Sequence, residues 1–598
     1  MNVKSPILRK HFEKNGFDAD FFKTYEAETT EKLQNTNELC STLYDIREKK
    51  SKIVIYTDFD VDGIMSSVIA YAGLSELGFN VDLFKPDPSA GYGFRTTDVD
   101  NICNIYPDVS VIFTGDVGIG CNEAIDYAHA KGLLVFVTDH HNEPVRCTAD
   151  IAVNPNRLDE TYSHNYICGS YVVYKVIELL AKKYYSFSTQ ADIYRLQLFA
   201  GIATVSDVMP LIYENRQLVR NSISLMRYFY NYQLNADTIA PPFYSDNYMR
   251  AFVGMKKLLD HFAKLGKIKK ASDIDEQFYS FYIIPFLNSA KRMDGDMRGV
   301  YDIFFSSRVS PVKGFENMSC VENGIKYINT LSVRRKELTA MYFEALSEEK
   351  RQNETENAGF MQCEVYITDA TAGLLGLLGS KFISMSGMPT LVVNEMPDGS
   401  YVGSGRNPDW FDFAEQLHMH DINIECCGHK EAFGVFIPNK EVLLDYIAFY
   451  QNYIVPEYVR LSIDGTLCSD TSISISYMNC VPCDFVSDNV MIKEYMDEMM
   501  FYHPYGHAFP EPRFKYYLKL DTAEIKIFGS ERQHAKLITQ DGMEILLFNM
   551  ALDLMKLISD NGGKNFILVC YGVFRYDNFN TQYDTVNFLS NSIEAMTD

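Results

Sequence analysis

Ile53-Val54-Ile55-Tyr56-Thr57-Asp58-Phe59-Asp60-Val61-Asp62-Gly63 is the stretch that decides the fold. An apolar, β-branched run of strand length ends in three acidic residues at alternate positions and a glycine. A helical pattern over 65–77 follows. The arrangement returns at Val109-Ser110-Val111-Ile112-Phe113, which leads into Thr114-Gly115-Asp116-Val117-Gly118 and a helical pattern over 122–131. It returns again at Leu133-Leu134-Val135-Phe136-Val137, which leads into Asp139-His140-His141. Strands alternating with helices predict an open parallel sheet, and residues at the carboxyl ends of its strands converge on one crevice.

That crevice reads as a metal site. Alternate strand residues face one side, so Asp58, Asp60 and Asp62 start on a common face, and Gly63 lets the chain turn into the helix. Carboxylates so close repel one another unless a cation sits among them. Asp116, with Gly115 and Gly118 allowing close backbone approach, is placed to bridge two ions. His140 adds an imidazole whose tautomer Asp139 or a backbone carbonyl can fix. Asp207 closes the set from a helix end. Hard oxygen donors with imidazole suit Mn²⁺ or Mg²⁺. Taken singly, each residue is an ordinary turn acid or core histidine; only the set carries the reading.

Outward from this core, the 598 residues suggest roughly four domains. Residues 1–48 read as a polar helical segment and 49–320 as a parallel α/β domain. A charged connecting helix is expected over 321–352, and strands return in a smaller α/β domain over 353–456. Short alternating strands over 457–598 predict an antiparallel β-barrel. Apolar residues at 47% are enough for several cores. A net charge of −24 argues against a non-specific nucleic-acid coat protein, but not against an enzyme that grips phosphate through metal ions and a local basic groove. There is no apolar run long enough to predict a membrane span and no apolar leader core. Thirteen scattered cysteines read as reduced thiols, so a cytoplasmic location is expected.

These strings resemble the DHH phosphoesterase superfamily and, within it, the RecJ single-strand exonucleases. The resemblance continues in order through Gly91-Tyr92-Gly93, Val153-Asn154-Pro155, Cys168-Gly169, Asp207-Val208-Met209-Pro210-Leu211 with Glu214-Asn215-Arg216, and Asn288-Ser289-Ala290-Lys291-Arg292. Gly403-Ser404-Gly405-Arg406 and Cys427-Gly428-His429 resemble the DHHA1 substrate-binding domain. His503-Pro504-Tyr505-Gly506 with Pro510-Glu511-Pro512-Arg513-Phe514 resembles a signature of the oligonucleotide-binding (OB) barrel. The implied architecture is a multidomain α/β chain: a parallel doubly wound DHH domain, a long connecting helix, a DHHA1 domain and an OB-like barrel.

The resemblance implies Asp60, Asp62, Asp116, His140 and Asp207 as metal ligands, with Asp58 a sixth. His141 would contact phosphate. Arg406 and His429, beside Gly405 and Gly428, would hold the scissile or terminal phosphate, and Arg292 and Tyr92 would contact substrate. The implied activity is two-metal 5′-to-3′ hydrolysis of single-stranded DNA in recombination or repair, with Asp116, His140, His141, Arg406 and His429 as the catalytic group. The implied state is a monomer away from membranes, partnered by a single-strand-binding protein or a helicase. Two alternatives accompany it: a phosphodiesterase of short oligoribonucleotides or cyclic dinucleotides, and a non-catalytic replication scaffold. Three positions depart from the RecJ pattern: Lys291 in place of Gly, Asn407 in place of Ser, and Cys427 in place of Gly. Cys480 and Cys483 with His503 and His507 offer a weaker zinc reading, and Tyr92 and Phe94 are candidates for base stacking.

Overall fold

Strands buried on both faces read as continuous apolar runs and pair in parallel under covering helices. The structure, a computed structural model, describes residues 3–18, 21, 30–87, 91–231, 246–293, 296–311, 318–356, 363–428, 430–463, 471–530, 532–576 and 586–596. β1 (Lys52–Thr57), β2 (Val81–Leu83), β3 (Val109–Gly115), β4 (Leu134–Thr138) and β5 (Ile151–Val153) form a sheet of order β2-β1-β3-β4-β5, parallel throughout. Its register sets Thr57 beside Gly115, Gly115 beside Thr138, and Thr138 beside Val153. The next residues (Asp58, Asp116, Asp139 and Asn154) therefore leave the sheet at one level. Strand order reverses between β1 and β3, where open sheets place ligands.

The helices expected over 65–77 and 122–131 are Val61–Glu76 and Asn122–Ala130, and a third helix is Gly169–Tyr184. The first starts early because the Asp60 carboxylate caps it, accepting from the Gly63 amide at 3.1 Å. Val61–Glu76 is buried on nearly every side, against Gly169–Tyr184 and Gln197–Ser206. Gly63 is obligatory, since a Cβ there would lie 2.2 Å from the Asp58 carbonyl oxygen.

A 36-residue helix, Val321–Glu356, leads to a second sheet. β6 (Val365–Ile367), β7 (Thr390–Glu395), β8 (Tyr401–Arg406), β9 (Glu425–Gly428) and β10 (Ala432–Ile437) pair in the order β6-β7-β8-β10-β9, and only β6 with β7 is parallel. Leu391, Val393, Tyr401, Phe413 and Tyr446 fill its core. Both sheets belong to one compact unit, Glu28–Met209 with Leu218–Ser469.

The other unit comprises Met1–Ala27, Pro210–Gln217 and Asp470–Asp598. Residues 1–48, read as one segment in sequence, are thus divided: helix Pro6–Lys14 belongs to this unit and helix Thr36–Glu48 to the first. Its eight strands are β11 (Ile473–Ser476), β12 (Phe485–Val486), β13 (Phe514–Lys519), β14 (Glu524–Phe528), β15 (His534–Ile538), β16 (Glu544–Leu547), β17 (Ile567–Tyr576) and β18 (Val586–Met596). They run β12-β11-β13-β17-β18-β16-β15-β14. This corrects the expected closed antiparallel barrel. Among the described residues β12 and β14 are unclosed edges, and β11–β12, β11–β13 and β16–β18 are parallel. For β11–β13 and β16–β18 the reason is connectivity: helix Asn489–Met499 lies between β12 and β13, and helix Ala551–Asp560 lies between β16 and β17, and crossovers of that length permit parallel pairing where tight turns do not.

In this unit two strings of the RecJ resemblance meet. Arg216 Nη1 donates to the Pro504 carbonyl at 2.6 Å, Nη2 donates to the Tyr502 carbonyl, and the guanidinium lies 3.9 Å from the Phe509 ring centroid. The Leu211 amide donates to His507 O at 2.8 Å. The His503-Pro504-Tyr505-Gly506 string is therefore a dock for the Pro210–Gln217 segment. No helix of the described residues is long and apolar enough to cross a membrane.

Candidate metal centre

The register that aligns the strand ends gathers the six ligand candidates together with His141. Ligand atoms of Asp58, Asp60 and Asp116 lie within 4.8 Å of one another, as do those of Asp62, His140 and Asp207, and those of Asp116, His140 and His141. His140 is at the centre, its Nε2 being 3.3 Å from Asp116 Oδ1, 3.6 Å from Asp207 Oδ2 and 3.8 Å from Asp62 Oδ2. Cys480, Cys483, His503 and His507 form no such grouping among the described residues.

Backbone holds this geometry. Asp62 begins the helix after β1 and accepts from the first amides of another helix: Gly169 N at 2.7 Å and Ser170 N at 2.8 Å, one on each oxygen. A helix N-terminus favours a carboxylate there. Asp116 adopts a left-handed backbone, φ 60°, a strained state for a non-glycine residue that persists where the surroundings enforce it. Its amide donates to Thr138 O at 2.9 Å, and a Cβ on Gly169 would lie 2.6 Å from its side chain. Asn156 Nδ2 donates to His140 O at 2.6 Å and Asn154 Nδ2 to His141 O at 2.9 Å, which fixes the histidine pair.

The charges do not balance. Burial, and then Asp62 and Asp60, push the Asp116 and Asp207 carboxyls well above the ordinary range. Burial and Asp60 raise Asp58 to about 7. Asp116 Oδ1 and Asp207 Oδ2 are buried and accept no hydrogen bond among the described residues. Lone pairs with no donor, in a cluster of like charge, fit a divalent cation. Asp139 behaves oppositely: burial resists its ionisation, but His141 Nδ1 at 2.8 Å and the Ile119 amide keep its pKa low. The same contact lifts His141 to about 9 against burial, so it is a cation at neutral pH.

Tyr92 stands at the rim, 58% exposed, with its ring edge-on to His141 at 5.9 Å. The flanking Gly91 and Gly93 adopt positive φ, and Tyr56 Oη pins the loop by donating to Gly93 O at 2.8 Å. Phe94 is buried against Tyr56, which corrects its reading as a stacking residue.

Beside the acids is a basic corner. Arg292 follows Lys291 on helix Ser289–Met293, and a Cβ on Gly373 would lie 2.1 Å from Arg292 O. Arg406, at the end of β8, bonds Ser404 Oγ at 2.8 Å and Ser380 Oγ at 3.0 Å. Burial and repulsion from Arg335 and Arg406 lower Arg292 to about 10. Gly405 makes room for Phe433, whose ring a Cβ would meet at 2.2 Å, rather than for a ligand. Gly428 ends β9 at φ 135°, and His429 lies outside the described residues. Arg335, from the long helix, is absent from the sequence-based set. It is buried, its Nε has no hydrogen-bond partner among the described residues, and it lines a cavity of about 430 Å³ with Thr339, Ser380 and Lys381. No local motif marks it, whereas Asn156 follows the Val153-Asn154-Pro155 string closely enough to be found.

A parallel sheet edged with carboxylates and a histidine pair resembles the centre of a DHH phosphoesterase. Residues 52–202 match the DHH family, N-terminal domain. Within it the similarity is to RecJ. The single-stranded-DNA-specific exonuclease RecJ of Haemophilus influenzae is 24% identical over 543 residues, covering 86% of this chain and 83% of that one. RecJ of Bacillus subtilis is 24% identical over 537 residues, covering 87% of this chain and 58% of its own. The solved structure of RecJ in complex with Mn²⁺ from Thermus thermophilus superposes with a TM-score of 0.67 at 16% identity, covering 99% of this chain and 76% of that chain.

Proposed function

We propose that this chain is a metal-dependent exonuclease that hydrolyses single-stranded DNA from its 5′ end, in recombination and repair. One observation carries the reading: buried Asp116 Oδ1 and Asp207 Oδ2 have no hydrogen-bond donor among the described residues and converge with His140 at a sheet edge. Support comes from relatives named for cleaving single-stranded DNA and from RecJ structures holding Mn²⁺ or Mg²⁺.

Two ions of Mn²⁺ or Mg²⁺ would be held by Asp58, Asp60 and Asp116 and by Asp62, Asp116, His140 and Asp207; when bound they activate water and neutralise charge on phosphoryl oxygens. Asp62, clamped by two helix amides, keeps its side chain fixed while substrate enters. Cationic His141, held by the Asp139 carboxylate 2.8 Å from its Nδ1, brings positive charge to a phosphate oxygen. Arg292 and Arg406, with His429, hold the terminal phosphate, to which guanidinium forks are matched. Gly405 and Gly428 shape the strands that carry this clamp, and Tyr92 offers an exposed ring to a terminal base. On the same reading the chain works as a cytoplasmic monomer, and a single-strand-binding protein or a helicase presents the strand.

The test is digestion of 5′- and 3′-labelled single-stranded DNA with Mn²⁺, Mg²⁺ or EDTA, beside the Asp116→Ala/His140→Ala double variant. Metal-dependent release of mononucleotides from the 5′ end, lost in the variant, is expected. Absence of cleavage on both DNA and matched RNA would sink the assignment.

A further inference from the structure

The two halves of the acidic cluster are held differently. Asp62 is braced by two amides of another helix, while Asp58 and Asp60, the latter also capping its own helix through the Gly63 amide, meet a cation of the chain itself. Lys291 Nζ lies 3.8 Å from Asp60 Oδ2 and 4.0 Å from Asp58 Oδ2, and 4.7 Å from the centroid of the buried Phe59 ring. Its ion pairs among the described residues are with these two carboxylates. The side chain is 37% exposed, so the ammonium sits at the mouth of the outer half.

We propose that Lys291 is a tethered counter-ion of this outer half. It weakens divalent-ion binding at Asp58, Asp60 and Asp116 and leaves Asp62, His140 and Asp207 as the tighter site. The inference rests on the reading above that the cluster holds two ions. A divalent ion entering between Asp58 and Asp60 meets a positive charge already about 4 Å from the same oxygens, close enough for strong repulsion. The lysine then stays and repels the ion, or withdraws and gives up both ion pairs and its place over Phe59. Either response subtracts from affinity at the outer half. The inner half lies beyond Lys291's own ion pairs and is affected less. The chain would then load one ion at low metal concentration and the second only at higher concentration.

The experiment is Mn²⁺ titration of the EDTA-stripped full chain by calorimetry, with free Mn²⁺ followed by electron paramagnetic resonance. Wild type is compared with Lys291→Ala, with Lys291→Met, which keeps the stem packed on Phe59, and with Lys291→Arg, which keeps the charge. Two binding steps are expected in wild type. The weaker one should tighten about tenfold or more in both neutral variants, with the tighter step within about twofold, and Lys291→Arg should resemble wild type. One ion bound by wild type and two by Lys291→Ala would be the same result at its limit. A weaker step that is unchanged or loosened in folded neutral variants overturns the proposal, as does equal tightening of both steps. A wild-type chain that binds no Mn²⁺ overturns the two-ion reading together with it, a result distinct from two unperturbed steps.

Discussion

The carboxyl edge of the β1–β5 sheet and the corner of Arg292, Arg335 and Arg406 are opposite charges with one physical problem. Each packs like charges closer than folding alone favours. At the edge, Asp58, Asp116 and Asp207 are pushed toward protonation; at the corner, burial and mutual repulsion lower Arg292 to about 10. A cation relieves the first and a phosphate relieves the second, so both fit a phosphodiester bound beside metal. They differ in how they are built. Strand ends, a helix N-terminus and a left-handed Asp116 hold the acids. Long side chains from helix Ser289–Met293, helix Val321–Glu356 and β8 assemble the basic corner. Backbone-held charge suits chemistry that tolerates little displacement; side-chain-held charge suits gripping a flexible end.

The largest effect should come from the edge. Asp116→Asn should lower kcat by about a thousandfold or more, since it removes the carboxylate common to both ion groups. The same variant should make the metal-free protein more stable by about 1–3 kcal/mol, because a buried, donorless charge is gone. Calorimetric unfolding in EDTA checks the sign. Unchanged or lower stability would mean that the edge is not electrostatically strained.

At the corner the effect should be smaller and of another kind. Arg406→Ala should raise KM for 5′-phosphorylated single-stranded DNA by about tenfold to a hundredfold, the range of one or two lost charged hydrogen bonds, with a lesser change in kcat. Substrate lacking the 5′ phosphate should narrow the gap between wild type and variant. Equal loss in kcat and kcat/KM would place Arg406 in the chemistry instead of the grip.

The same contrast governs what is legible in the sequence. Asp58, Asp60, Asp62, Asp116 and His140 follow β-branched runs directly, so strand period and strand-end position are enough to bring them together. Asp207 reads as a helix end and arrives there as the residue following helix Gln197–Ser206. Arg335 escapes the sequence, because it is one of many charges on a long helix and only packing against helix Ala372–Ser386 sets it apart. Lys291 is visible as a departure from the RecJ pattern, but its place at Asp58 and Asp60 is not. The C-terminal sheet reads as a barrel because alternation reveals strands but not their partners. Register and direction depend on crossovers such as Asn489–Met499, which local pattern does not encode.

The edge also sets a pH dependence. The folded Asp58 carboxyl titrates near 7 against an unfolded value of 3.8, so between these values the folded chain holds more protons. Metal-free stability should therefore fall as pH rises from about 4 to 7. Mn²⁺ should reverse the trend by taking the place of the protons. The single Trp410, in the same unit, reports the unfolding by fluorescence. A metal-free urea midpoint rising over that range would contradict the assignment.

The smallest effect should come from the other unit, with the opposite sign. His11 is buried in helix Pro6–Lys14, one ring nitrogen 3.0 Å from Pro510 O and the other 3.1 Å from Asn15 Nδ2. Burial lowers its pKa to about 4 from 6.5, although the Pro510 carbonyl resists the shift. Here the unfolded chain binds more protons between those values. The stabilisation is complete above 6.5 and is lost as pH falls toward 4. Hydrogen-exchange protection of helix Pro6–Lys14 and β13 should thus weaken on acidification, over the range in which the metal-free edge gains stability. His11→Gln keeps a hydrogen-bonding side chain that does not titrate, and it should flatten this dependence. Protection that falls equally in wild type and His11→Gln would assign the acid sensitivity of this unit to another group.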